Sequence, residues 1–233
     1  MKNLKKVIIG IVAKHKKEDV IRTESLIRDE IKQAIFDNGG IAVGILSPNE
    51  EILYSGDNWN CLENKIRKEE IKAQLNICDG IILQGGTTNE VYENWIAHYC
   101  YQNDIPVLGI CAGQNCLVRG LGGTTFKIPN PEKHMKMTQK YVHTVKIEKA
   151  SNIYAILKRK EIMVNSRHKR TIDACPNLEK VGFCDDGYAD VVEAKGKKFY
   201  IGVRFHPESL YKEDEIMNQI FKSFIERCCS YED

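Results

Sequence analysis

Hydrophobic positions along the first half of this chain fall into two alternating rhythms. Val7 to Val12 is an apolar, β-branched run broken at Gly10, and Val20, Ile21, Ile27, Ile31 and Ile35 then recur at helical spacing from Glu18 to Asn38. Asn38-Gly39-Gly40 closes that helix as a C-cap should, and Ile41 to Leu46 is the next strand before the turn at Pro48. These pieces form a βαβ unit. The polar segment Ser55 to Asn60 reads as a loop, Ile66 to Ile77 as a helix and Asp79 to Leu83 as a further strand. Gln84-Gly85-Gly86-Thr87-Thr88 follows, a loop whose N–H groups can point outward, with Thr88 or Asn89 placed to cap a helix from Glu90 to Tyr101.

Pro106 to Asn115 continues the rhythm as strand, sharp turn and helix. Beyond Gly120-Leu121-Gly122-Gly123 it breaks. Lys127 to Lys140, with Pro129 and Pro131, reads as a polar surface loop. Tyr141 to Ile147 alternates, and Glu161 to Val164 is a short strand. Tyr188 to Ala194 and Phe199 to Val203 form a hairpin around Lys195-Gly196-Lys197, and a last helix runs from about Asp214 to Cys228. Strands alternating with helices predict an α/β fold whose mostly parallel central sheet is covered by helices on both faces, with extra antiparallel strands in the C-terminal half. Sites in such folds gather at the carboxyl ends of the strands, where Gly85-Gly86 and Cys111 both fall.

Composition narrows the choice of chemistry. With 233 residues, 42% of them hydrophobic, the chain can build one substantial core, and no linker, repeat or low-complexity tract divides residues 1–233 into more than a single domain. A formal net charge of +2 makes no electrostatic case for nucleic acid or an acidic membrane surface. The nine cysteines are odd in number and contain no Cys-x-x-Cys, and the adjacent Cys228 and Cys229 lack the companions a zinc site needs. A reducing cytoplasm, no metal and no cofactor are therefore expected. The basic N-terminus followed by Val7 to Ala13 imitates a signal peptide, but it runs straight into Lys14-His15-Lys16-Lys17 and reads as a first buried strand. No stretch reaches the roughly 18 apolar residues needed to span a bilayer.

Candidate chemistry begins at Cys111. Gly109 and Gly113 flank it as Gly-x-Cys-x-Gly, the spacing that around serine makes a nucleophile elbow. A thiol at a helix N-terminus is held toward its nucleophilic thiolate by backbone N–H groups and the helix dipole. Taken alone, the pentapeptide equally fits a buried cysteine in an ordinary strand-to-helix turn. A cysteine nucleophile needs a base with its own orienting group. His206 directly follows a strand, and Glu208, two residues on, projects to the same side. His-Pro-Glu alone more often marks a structural turn. Together with the elbow it completes a Cys-His-acid set suited to acyl transfer through a thioester.

Four motifs then occur in order: Gly-Ile-Cys-x-Gly around Cys111, Gly-Gly-Thr at Gly122 to Thr124, Val-Asn-Ser-x-His at Val164 to His168, and Gly-Val-x-Phe-His-Pro-Glu at Gly202 to Glu208. In these the chain resembles the class I glutamine amidotransferase-like superfamily, and within it the gamma-glutamyl-gamma-aminobutyrate hydrolase family of cysteine peptidases. The resemblance spans nearly the whole chain. It implies a flavodoxin-like three-layer sandwich in which Cys111 attacks a γ-glutamyl amide, His206 serves as base and then acid, and Glu208 orients it. The oxyanion hole would comprise the N–H groups of Gly86 and Ala112, and Asn115, Asn165, Ser166 and His168 would meet substrate.

The chain also departs from the family pattern. Ala112 stands where arginine is common, Asn115 where glutamine is common, with Gln114 beside it, and His168 is followed by Lys169 and Arg170, which favour a more anionic ligand if they face the site. The expected activity is cleavage of a small-molecule γ-glutamyl amide or peptide. The alternative is a glutaminase subunit that delivers ammonia to a separate synthetase, the one case in which a protein partner is implied. A non-enzymatic regulatory binder would fit a chain lacking Cys111, His206 or Glu208, and all three are present. Association of chains, a homodimer included, stays open, as do the leaving amine and the L or D form of the glutamyl group.

Overall fold

A computed structural model describes residues 6–17, 23–86 and 90–229. The chain begins with β1 (Ile8–Val12), β2 (Lys14–Lys17), β3 (Thr23–Leu26), α1 (Asp29–Asp37) and β4 (Ile41–Ile45). It continues through α2 (Lys68–Leu75), β5 (Gly80–Leu83), α3 (Val91–Gln102), β6 (Val107–Ile110) and α4 (Ala112–Gly120). The second half adds β7 (Thr125–Lys127), β8 (His143–Ile147), α5 (Asn152–Leu157), β9 (Glu161–Val164), β10 (Arg170–Ile172), β11 (Glu179–Cys184), β12 (Ala189–Glu193), β13 (Tyr200–Val203) and α6 (Glu215–Cys228). Short 3₁₀ turns cover Trp59–Lys65, Pro131–Lys133 and Pro207–Ser209.

Nine strands make one sheet in the order β4-β1-β5-β6-β13-β12-β11-β8-β9. The first five run parallel, and β12, β11, β8 and β9 extend the sheet antiparallel. The period-2 geometry of strands sends alternate side chains to opposite faces. Ile82, Leu108, Ile110, Ile201 and Val203 pack with residues of α1 and α6, whereas Ile81, Leu83, Val107 and Tyr200 pack with residues of α2, α3 and α4. The result is the α/β sandwich the alternating rhythm predicts, with one core on each face. Burying a side chain such as Ile82 or Leu108 contributes about 1.5–3 kcal/mol.

Two expectations need correction. The helix expected over Glu18 to Asn38 is shorter: β2 and β3 pair antiparallel, Lys14 opposite Leu26, and α1 begins only at Asp29. The cause is tertiary. The fully buried Gln84 side chain donates to the Leu26 and Val12 carbonyls and accepts from the Arg28 N–H, holding that backbone extended. Glu18, Val20, Ile21, Thr87, Thr88 and Asn89, named above, lie outside the described residues. The polar stretches read as loops also carry structure. Trp59 is buried with its indole N–H donating to the Arg119 carbonyl at 2.8 Å, β7 pairs with β10, and His134 is buried. Among the described residues no helix is long and apolar enough to cross a membrane.

Candidate active site

Parallel strands β5, β6 and β13 lie side by side in the sheet, with Leu83 opposite Gly109 and Ile110 opposite Val203. Their carboxyl ends therefore deliver Gly85-Gly86, Cys111 and His206 to one place. Cys111 is the residue between β6 and α4, with φ 53° and ψ −102°. A non-glycine residue at such a φ costs of order 1–3 kcal/mol and lasts only where its surroundings enforce it. Here the Cys111 N–H donates to the Val203 carbonyl at 2.8 Å, and Gly113 passes so close to β5 that a Cβ on it would lie 1.9 Å from the Leu83 carbonyl oxygen. The glycine is thus required by close approach of two backbones.

His206 follows β13 and is 6% exposed. Its Nδ1 is 2.7 Å from Glu208 Oε1, which fixes the ring and leaves Nε2 for the thiol. Burial alone would depress the His206 pKa, but the Glu208 carboxylate and the hydrogen bond and charge of Cys111 outweigh it and push the value up to about 10. For Cys111, burial opposes ionisation, and the hydrogen bond and charge of His206, with the charge of Arg204, prevail to bring its pKa below the ordinary thiol value. Both shifts run in the direction that favours a thiolate–imidazolium pair. Gly85 sits against it: a Cβ there would meet His206 Cε1 at 3.0 Å and Cys111 Cβ at 3.4 Å.

A cavity of about 280 Å³ opens over Cys111 and is lined by Gly86, Ala112, Asn115, Met135, Arg167, His168, Lys169, Arg170 and Arg204. Of the residues named from sequence, Gly86, Ala112, Asn115 and His168 reach it. Ala112 opens α4, where the first N–H groups of a helix have no intrahelical acceptor. Asn165 and Ser166 are not in the lining. Asn165 instead donates to the His206 carbonyl at 2.8 Å and accepts from the His206 N–H at 2.7 Å, and Ser166 is fully buried. Gln114 is also internal, donating to the carbonyls of Asp190 and Gly202. Arg170, also in the lining, turns its guanidinium to Thr125, and Arg167, Lys169 and Arg204 are the other basic residues there.

The residue that sequence reasoning passed over is Arg204, the unassigned position of Gly-Val-x-Phe-His-Pro-Glu. Its side chain is 1% exposed, and Nη1 donates to Asn115 Oδ1 at 2.8 Å and to the Cys111 carbonyl at 3.3 Å. Nε and Nη2 have no hydrogen-bond partner among the described residues. A buried cation with two free donors beside a thiol suits an anionic group of a ligand.

Known proteins resemble this chain in sequence and in fold. The family described as Peptidase C26 matches residues 87–208. Over 139 residues the chain is 37% identical to a glutamine-hydrolyzing GMP synthase of Prochlorococcus marinus, covering 58% of this chain but only 24% of that protein, so the chain spans about a quarter of its length. It is 29% identical to a subunit of the glutamine-hydrolyzing GMP synthase of Methanocaldococcus jannaschii, over 83% of this chain and 96% of that one. In structure it resembles a putative GMP synthase subunit from Thermoplasma acidophilum, with a TM-score of 0.67, 19% identity, and coverage of 97% and 96% of the two chains, a likeness of fold.

Proposed function

The chain belongs to the Peptidase C26 family of class I glutamine amidotransferase-like proteins, and from that premise we propose that it is a glutaminase that releases ammonia from glutamine for a synthetase. The glutamine-hydrolyzing GMP synthases it resembles support this over the broader hydrolase reading. The observation that carries the reading is the thiol of Cys111 at the elbow, paired with a His206 whose far nitrogen is held by Glu208 at 2.7 Å.

The chemistry follows from those positions. The Cys111 thiolate adds to the γ-amide carbon, and the carbonyl oxygen becomes an oxyanion facing the N–H groups of Ala112 and Gly86. Donors of this kind are worth about 3 kcal/mol each in acyl-transfer enzymes. The His206 imidazolium gives its proton to the departing nitrogen, the C–N bond breaks, and a γ-glutamyl thioester remains. His206, now neutral, takes a proton from water as that water attacks the thioester. Glutamate leaves and the thiolate is restored. Glu208 keeps the ring oriented through both steps.

A second reading, hydrolysis of a γ-glutamyl amide or peptide with a different departing half, draws on Arg167, Lys169 and Arg204 around the cavity, which suit an anionic substrate. One experiment separates the two. The purified chain is incubated with glutamine and with γ-glutamyl amines and peptides, with ammonia and amine release followed and the acyl-enzyme sought by intact mass. Ammonia from glutamine that rises sharply with an added synthetase supports the glutaminase; turnover of γ-glutamyl amines alone supports the hydrolase. A Cys111→Ala chain that turns over either substrate at the unmodified rate would overturn both.

A further inference from the structure

Behind the cavity, the described residues gather a buried group of lone pairs that the chemistry above does not use. His134 comes from the loop after β7, His143 opens β8, Cys184 ends β11, and one ring nitrogen of each histidine and the Cys184 sulfur lie within 4.8 Å of one another. His143 Nε2 is 2.6 Å from Asp190 Oδ2, which leaves Nδ1 as the ring nitrogen open to a ligand; that atom is buried without a hydrogen-bond partner among the described residues. Both nitrogens of His134 are buried and equally without a hydrogen bond. Cys184 is itself buried, 4% exposed, on the strand beside them. Nearby, His168 donates through Nδ1 to the Arg170 carbonyl at 3.1 Å, so its buried Nε2 is another lone pair without a donor.

Buried polar groups left without hydrogen bonds are costly. From this cluster we infer that His134, His143 and Cys184 bind a zinc-class divalent cation. Imidazole and thiolate together select zinc among the available metals, and a carboxylate on the far nitrogen of a ligating histidine is the usual outer support, the part Asp190 takes toward His143. Bonds of about 2.0–2.3 Å in a tetrahedral site place ligands about 3.3–3.8 Å apart, so the three atoms close by about 1 Å on binding. His134, on a loop rather than in the sheet, is the ligand best placed to make that shift. Asp186, with Oδ2 3.6 Å from His134 Nε2, offers a carboxylate for a fourth position that solvent otherwise fills.

The site has a consequence for the cavity. The His134 carbonyl accepts from the His168 N–H at 3.1 Å, the Lys136 N–H donates to the Ser166 carbonyl at 3.0 Å, and Met135, between them, bridges to Arg167 and lines the cavity. Metal at His134 would fasten this wall to the antiparallel half of the sheet. The role is structural and independent of whether Cys111 acts as a glutaminase or a hydrolase.

The test titrates the full chain, stripped with a chelator, with zinc against a chromophoric competitor, and repeats the loading with cobalt to read its visible spectrum. One equivalent of zinc and a sulfur-to-cobalt charge-transfer band are expected. Cys184→Ser should abolish the band, His134→Ala should weaken binding at least as much, Asp190→Asn should cost about 10–100-fold in affinity, and Cys229→Ser, at an exposed cysteine, should change nothing. Hydrogen exchange on the unmodified chain covers the case of a variant that does not fold: zinc should slow exchange across residues 128–142. Zinc affinity unchanged in Cys184→Ser, or exchange of that loop indifferent to zinc, would overturn the inference.

Discussion

Asn165 holds the backbone of His206 from both sides: its Nδ2 donates to the His206 carbonyl at 2.8 Å and its Oδ1 accepts from the His206 N–H at 2.7 Å. All of these groups are buried, so truncating Asn165 strands two backbone groups, each worth about 1–3 kcal/mol when left unpaired. Asn165→Ala should lower unfolding free energy by about 2 kcal/mol and reduce kcat by about tenfold or more with KM little changed, because the ring drifts while the cavity lining stays. Urea unfolding and steady-state kinetics read the two effects. A variant whose KM rises while kcat holds would instead return Asn165 to the substrate-contact role expected from its motif.

The Cys111–His206 pair sets a pH window. Activity through thiolate and imidazolium is lost as pH falls through the Cys111 pKa, which the charge of His206 and Arg204 holds below the ordinary 9.0, and as pH rises through that of His206, near 10. Both limbs are properties of the pair. Glu208→Gln removes the charge that raises His206, so the alkaline limb should move to lower pH. The pH dependence of kcat, measured in both chains, reads this directly. An alkaline limb that stays in place would detach Glu208 from His206.

How far the sequence reveals this arrangement depends on how local each signal is. The elbow is legible because a four-residue strand, two glycines and Cys111 all sit within one turn of chain. His206 and Glu208 are legible because period-2 geometry links them. What stays hidden is what distant pieces create. Leu26 and Arg28 carry no mark that Gln84, at the end of β5, will hold them extended. Asn165 sits in a polar motif that suits a ligand as well as a neighbouring backbone, and only the fold brings it against His206. Arg204 occupies the unassigned slot of its motif, and its position just past β13 and next to Asn115 on α4 is a consequence of strand order. The histidines and Cys184 behind the cavity come from three separate segments, with no spacing to connect them.

Arg204 gives a third expected outcome. Its free Nε and Nη2 offer charged hydrogen bonds to an anionic group of the substrate, worth about 1.5–3 kcal/mol apiece. Arg204→Gln should raise KM by about 10–100-fold, the loss of one such bond converted at 1.4 kcal/mol per tenfold. It should also shift the acid limb of the pH profile upward, since the Arg204 charge helps lower the Cys111 pKa. The paired change matters: a rise in KM without the shift would place Arg204 away from the thiol, and a shift without a rise in KM would remove it from the substrate.

Two neighbouring glycines should fail in opposite ways. A Cβ at Gly113 would stand 1.9 Å from the Leu83 oxygen and 2.6 Å from its carbonyl carbon, both backbone atoms of a central strand that cannot yield without opening the sheet. Gly113→Ala should therefore destabilise the fold by about 3 kcal/mol or more, the upper range for overpacking a core. A Cβ at Gly85 meets only side-chain atoms, His206 Cε1 at 3.0 Å and Cys111 Cβ at 3.4 Å, and the ring can give by a few tenths of an ångström. Gly85→Ala should keep its thermal midpoint close to that of the unmodified chain and yet lose about 100-fold in kcat, because displacements of this kind at the reacting groups are costly. Thermal unfolding and acyl-enzyme formation, measured on both variants, make the comparison. If Gly85→Ala acylated at the unmodified rate, the His206 ring would not need the position it holds beside Cys111.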